Sequence, residues 1–219
     1  MAMTFPLTLN GFWNRLPIES CPFDLPEMVQ VSRSRGGELM QAEIGTRLWS
    51  ADVRLGWMLP DEAAEVMPLI NLLRGGASFM ACDPLRRRPR LDPTGAVLGS
   101  AAVQINSLAA NSRELTLKGL PAGYTLRRND LLAFAYGSAP VRFALHQIVS
   151  ANAVASAGGV TPMIEVVPPL RPGATVGAAV ALTHPSCKVQ MVPRSFQAGA
   201  QRAGGLIEGV SFQIMQTLR

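Results

Sequence analysis

The stretch that decides the fold is residues 49–84, WSADVRLGWMLPDEAAEVMPLINLLRGGASFMACDP. Apolar and polar residues alternate from Trp49 to Trp57, which is the period of a half-buried strand. A helix is predicted to begin at Pro60-Asp61, and a second strand is predicted from Ala77 to Cys82. This strand–helix–strand unit holds the one helix that the sequence predicts firmly, so the rest of the chain must pack around it.

The predicted helix carries its own start and stop signals. Asp61 is expected to accept hydrogen bonds from the free amides of the first turn, and Gly75-Gly76 to close the last one. Pro68 lies inside the helix and removes one backbone hydrogen bond, so a kink is expected there. The apolar stripe that faces the core is predicted to comprise Ala63, Val66, Met67, Ile70 and Leu73.

The composition indicates a chain that buries much of its surface against other molecules. Of 219 residues, 48% are hydrophobic and only 16% are charged, whereas about a quarter of residues are charged in typical soluble domains. So few charges favour an oligomer or a larger assembly. The 17 prolines and 20 glycines indicate many turns between short strands. The pI of about 9.7 permits a polyanionic partner without requiring one.

The three cysteines, Cys21, Cys82 and Cys187, are far apart and form no C-x-x-C pair. Neither a metal site nor a disulfide framework is expected, and buried free thiols are predicted instead. The N-terminal residues lack the basic start and apolar core of a secretory signal. No apolar run is long enough to span a bilayer, so a soluble protein without a membrane partner is predicted.

Short strands are predicted on both sides of the helix. An extended arm or edge strand that docks on another surface is predicted up to about Pro26, and two strands, Glu27–Val31 and Glu38–Ile44, follow around a turn. Beyond residue 90, turn residues separate six apolar segments, and this spacing is typical of a small closed or nearly closed barrel. The six predicted barrel strands are Ala102–Leu108, Arg113–Lys118, Asp130–Tyr136, Val141–Ser150, Pro162–Val167 and Thr175–Leu182.

The C-terminal residues resemble the first part of the chain in their residue pattern, and strands are predicted at Lys188–Val192 and Gly209–Leu218. We therefore predict a mainly-β (α+β) fold in two parts. Residues 1–90 and 186–219 form an antiparallel sandwich or split-barrel domain that carries the helix. Residues 91–185 form an inserted small β-barrel.

Few residues offer chemistry. His146 and His184 are the only histidines for general base work, and no nucleophile elbow, zinc-helix pair or Walker-type glycine loop is present. We expect neither an enzyme nor a cofactor, and we predict no catalytic, metal-binding or cofactor-binding residue.

The basic segment of residues 85–90, LRRRPR, is the candidate site. Its four arginines, which are the predicted partner contacts, are Arg86, Arg87, Arg88 and Arg90. They either form a solvated loop or contact an acidic partner, and each could also hold a nucleic-acid phosphate. The alternative function is therefore a nucleic-acid-binding, OB-like β-barrel. Few aromatic residues accompany the loop, although base stacking needs several on one face.

A series of short motifs adds a resemblance. Leu72-Leu73-Arg74-Gly75 ends the helix, and Phe79 and Asp83-Pro84 follow it. Arg128-Asn129-Asp130 precedes a predicted strand, and residues 167–171, VPPLR, come before a Gly-Ala-Thr-Val turn. In this order and spacing, over about residues 45–192, the chain resembles the distal tail proteins of long-tailed (siphovirus-type) bacteriophages and of phage-derived gene transfer agents.

The resemblance implies a non-enzymatic structural protein of the virion tail, synthesised in the host cytoplasm. Such proteins form a homo-oligomeric ring, a hexamer, that joins the tail tube protein to the hub or tip proteins of the baseplate. In that setting the arginine loop is expected to face an acidic rim of an adjoining ring. It could also face the lumen, where DNA passes.

Overall fold

The computed structural model describes residues 3–219, and within them the regular structure is mostly antiparallel β-sheet with one α-helix. The predicted mainly-β (α+β) class is confirmed. The helix α1 spans Pro60–Leu73, and a short 3-10 turn spans Trp13–Arg15. The strands, in chain order, are β1 Ile18–Ser20, β2 Phe23–Asp24, β3 Val29–Arg33, β4 Leu39–Glu43, β5 Ser50–Leu55, β6 Ser78–Cys82, β7 Gln104–Leu108, β8 Glu114–Lys118, β9 Thr125–Arg127, β10 Leu131–Tyr136, β11 Arg142–Ile148, β12 Asn152–Val154, β13 Ile164–Val167, β14 Val180–Ala181, β15 Ser186–Met191, β16 Ala200–Gln201, β17 Ile207–Glu208 and β18 Ser211–Gln216.

The first six-stranded sheet joins both ends of the chain. Its order is β1-β5-β18-β15-β6, and β2 also pairs with β5. The N-terminal arm therefore docks as predicted, with β1 and β2 along β5 and Leu7 bridged to Phe79. The C-terminal strand β18 lies between β5 and β15, so the two ends of the chain are held within one sheet.

The helix confirms its predicted position and corrects two details. It runs without a break through Pro68, which lies on the exposed face. Leu69 is buried where Met67 was expected, and Met67 is only half-buried. Asp61 does not accept the first-turn amides as predicted; instead Glu62 Oε2 accepts a hydrogen bond at 2.9 Å from the amide of Leu59, which directly precedes the helix. The buried positions of the helix are Ala63, Val66, Leu69, Ile70 and Leu73.

Strand β5 ends earlier than the alternating pattern predicts. Trp57 is 63% exposed instead of buried, and Met58 is buried in its place. The backbone explains the change, because the Gly56 amide bonds to Pro17 O and the Met58 amide to Ile207 O, both at 2.8 Å. These partners lie outside the β5–β18 ladder, so the alternation stops at Leu55.

The second six-stranded sheet, β14-β10-β11-β13-β8-β7, is the predicted nearly closed barrel. Its end strands approach one another through a bridge between Gln104 and Ala179 and a 2.8 Å bond from the Val180 amide to Val103 O. The last predicted strand, Thr175–Leu182, is reduced to Val180–Ala181. The two-stranded β9–β12 sheet was not predicted.

Each large sheet has its own cluster of buried apolar side chains, and polar contacts link the two. Trp49 Nε1 donates to Leu145 O across 2.7 Å, and Gln216 Nε2 donates to Phe143 O across 3.0 Å. Leu131 and Leu145, which are barrel residues, belong to the core of the first sheet. The division into a terminal domain and an inserted barrel stays a prediction.

Candidate functional site

The arginine loop lies between β6 of the first sheet and the barrel, where two aspartates fix it. Asp83 follows β6, and its carboxylate accepts bonds from the Leu85 amide at 2.8 Å and from Arg86 Nε at 2.6 Å. Asp130 precedes β10 and accepts the Arg90 amide at 2.9 Å. Both ends of the loop are therefore tied to ordered elements.

Arg86 serves the structure of this junction. Its side chain is mostly buried, its Nη1 donates to Asn129 Oδ1 at 3.0 Å, and its guanidinium lies 5.7 Å from the Trp49 ring. Asn129 adopts the left-handed conformation, with φ of 78°, which asparagine tolerates better than most residues. Arg86 thus holds the barrel turn against the first sheet.

Asp130 is almost fully buried and accepts two backbone amides, those of Arg90 and Arg127. Burial raises the pKa of this carboxyl, although the two hydrogen bonds and the nearby guanidinium groups of Arg90 and Arg127 oppose the rise. The residue is built into the junction and is not open to a ligand from solvent.

The other three arginines line a cavity of about 310 Å³ beside the loop. Arg88 Nη1 donates to Pro93 O at 3.3 Å, and Arg90 Nη1 donates to Arg128 O at 3.2 Å. Arg87 is exposed, and its guanidinium has no hydrogen-bond partner within residues 3–219. Arg87 and Arg88 thus remain the most available cations of the predicted site.

The two histidines have different surroundings. The His184 amide bonds to Arg87 O at 2.7 Å, and partial burial together with Arg88 and Arg87 lowers the pKa of its ring. His146 is buried on β11, stacks on Phe134 at 5.4 Å, and donates from Nδ1 to Pro168 O at 2.8 Å. Burial lowers the pKa of His146 to about 4, which makes it neutral at physiological pH.

A surface that sequence reasoning did not single out is the hairpin of β3 and β4, residues 29–43. Both strands were predicted, but almost every residue in them is exposed. The register places Val31 and Leu39 on one face and Met40 on the other. Val31, Leu39 and Met40 are each more than half exposed. The adjacent pair Leu39-Met40, which directs apolar side chains to both faces, was the available signal.

A groove of about 560 Å³ lies between the base of this hairpin and the barrel. Apolar side chains from both parts line it, among them Met28, Val29 and Val167. Its charged lining consists of two arginines, Arg47 and Arg113, and three glutamates, one of them on the barrel strand β13. The glutamates are Glu27, Glu43 and Glu165.

No helix within residues 3–219 is both long and apolar enough to cross a bilayer. In the same residues, no group of three or more His, Cys, Asp or Glu side chains is arranged to hold a metal ion. No protein-family model matches the chain, and comparison with curated proteins gives no match.

Proposed function

We propose that the protein is a structural ring subunit of a virion tail, of the distal tail type found in siphovirus-type phages and gene transfer agents. In that role several copies, expected to form a hexamer, join a tail tube protein to hub or tip proteins. The observation that carries the proposal is the exposed β3–β4 hairpin. The ordered motifs and the low content of charge support it further.

The hairpin is an element that needs a neighbour. An isolated two-stranded ribbon is marginally stable in water, and the outer edges of β3 and β4 pair with no further strand in the described chain. Exposed apolar side chains on both faces are a liability for a monomer and are typical of a buried interface. In a closed ring, each subunit covers the hairpin of the next.

The arginine loop fits the same proposal as a contact towards other tail components. Leu85 is 92% exposed beside the available cations Arg87 and Arg88. An exposed leucine directly before a run of arginines suits an acidic protein surface with an apolar recess better than it suits bare phosphates. In this proposal DNA meets the ring only in the lumen.

The aromatic side chains give little support to the alternative function, a nucleic-acid-binding barrel. Tyr124, Phe134 and Tyr136 are buried in the barrel core, where they cannot stack on bases. What remains for this alternative is the charge of the arginines. Binding of single-stranded DNA that weakens when Arg87 and Arg88 are both replaced by alanine, and falls steeply with salt, would favour it.

Sedimentation velocity tests the ring proposal with a matched pair of variants. Val31 on the hairpin and Val154 on β12 are both 52% exposed. The wild-type protein is expected to sediment as an oligomer. Val31→Lys should shift the population towards monomer, because a charge would have to be desolvated in the interface. Val154→Lys should leave the population unchanged, and equal effects of the two variants would contradict the role of the hairpin.

A further inference from the structure

The tip of the hairpin and the groove at its base have complementary chemistry. The tip carries Arg33 and Arg35 next to the exposed side chains of Val31 and Leu39. The groove pairs an apolar lining with the three glutamates Glu27, Glu43 and Glu165. Each surface therefore combines apolar contact area with charges opposite to those of the other surface.

These charges are not satisfied inside the protein. None of the ion pairs within residues 3–219 includes Arg33, Arg35 or any of the three glutamates. The groove also holds two arginines, Arg47 and Arg113. The guanidinium of Arg47 already donates to the carbonyls of Leu25 and Pro26, and the three glutamates outnumber the one remaining cation, Arg113. The glutamates are thus available to a cation from outside the chain.

The hairpin cannot fill its own groove. The strands β3 and β4 pair over five residues each without a register shift. At about 3.3 Å per residue, the tip lies roughly 15 Å beyond the base. A regular two-stranded ladder of this length does not fold back on itself, so a hairpin tip that enters this groove belongs to another copy of the chain.

We infer that the hairpin tip of one copy docks in the groove between the hairpin base and the barrel of the next copy. Arg33 and Arg35 meet Glu27, Glu43 and Glu165, while Val31 and Leu39 cover the apolar lining. Tip and groove are different surfaces, so this contact is heterologous and repeats around a ring until it closes. The inference rests on the proposed ring and names the interface that builds it.

Cross-linking with a bismaleimide tests the docking, because the native thiols Cys21, Cys82 and Cys187 are all buried. Arg35→Cys places a thiol on the tip, and Glu43→Cys places one in the groove. A mixture of the two single variants should give covalent dimers, and either variant alone should give far fewer. The double variant R35C/E43C should give a ladder of dimers, trimers and higher species that ends at the ring.

The outcomes separate this inference from the proposed function. If the wild-type protein is oligomeric but R35C alone cross-links as well as the mixture, the tips meet each other and the docking is wrong. An oligomer in which no tip-to-groove product forms would likewise overturn the docking and leave the ring intact. A protein that stays monomeric would overturn both. Charge reversal gives a second readout: R33E/R35E should disassemble the ring, and adding E43R/E165R should restore it.

Discussion

Replacement of His146 by asparagine should change how stability depends on pH. The His146 ring is buried on β11 between Phe134 and Pro168, and its Nδ1 donates to Pro168 O at 2.8 Å. The other nitrogen, Nε2, is buried and has no hydrogen-bond partner within residues 3–219. Protonation would therefore place a charge in an apolar site with no acceptor for the new N–H.

The size and sign of the effect follow from the pKa of the ring. Burial lowers it from the ordinary 6.5 to about 4 in the folded protein. Between these values the unfolded state binds a proton that the folded state excludes, so the free energy of unfolding falls as the pH falls. At about 1.4 kcal/mol per pH unit, the wild-type protein loses about 2 kcal/mol between pH 7 and pH 5 through this residue. The loss levels off at about 3 kcal/mol below pH 4.

The assay is urea unfolding at several pH values and one protein concentration, with wild type and His146→Asn compared. Asparagine keeps a donor near the Nδ1 position but cannot titrate, so its curve should lack the loss of about 2 kcal/mol. The variant pays a constant cost for the smaller side chain, which leaves the slope unaffected. His184→Asn is the control, because His184 is only partly buried. Parallel wild-type and H146N curves between pH 7 and pH 5 would refute the reasoning.

Three further substitutions test the fold. Trp49→Phe removes the 2.7 Å hydrogen bond to Leu145 O and should lower the free energy of unfolding by about 1–3 kcal/mol. The control, Trp57→Phe at the exposed tryptophan, should change it by less than about 0.5 kcal/mol. Equal losses in the two variants would contradict the contact between the sheets. Pro68→Ala restores an amide donor inside α1, so it should raise the free energy of unfolding by about 1–3 kcal/mol and the melting temperature with it. An unchanged melting temperature would show that the proline does not destabilise the helix. Gly159→Ala should destabilise far more than Gly123→Ala: both glycines have positive φ, but the added Cβ would lie 2.2 Å from Leu120 O at Gly159 and meets nothing within 4 Å at Gly123. Similar denaturation midpoints for the two glycine variants would contradict that packing.

The central elements were predictable because their signals are local. Pro60 and Gly76 mark the ends of the helix, and alternation marks β5 up to Leu55. The turn residues of the barrel segment likewise predicted short strands in about the right places. Strands β9 and β12 have only three residues each, which is too short for a period to show in the sequence.

The errors occur where distant residues decide the outcome. Met67 and Leu69 flank the same helical stripe, and only the packing of the sheet beneath selects Leu69. The alternation up to Trp57 does not indicate that the Met58 amide donates a hydrogen bond to Ile207 O. The groove combines Glu43 with Glu165, far apart in sequence, so no local pattern could reveal it. The hydrogen bonds of Arg86 to Asp83 and Asn129 also became visible only in three dimensions, while its contact with a partner stays a prediction.

Negative-stain electron microscopy of the purified wild-type protein tests the ring most directly. The proposal predicts ring-shaped class averages with rotational symmetry, expected to be sixfold, in which neighbouring subunits are joined by a thin extension from each one. Single compact particles of monomer size at every protein concentration would contradict it.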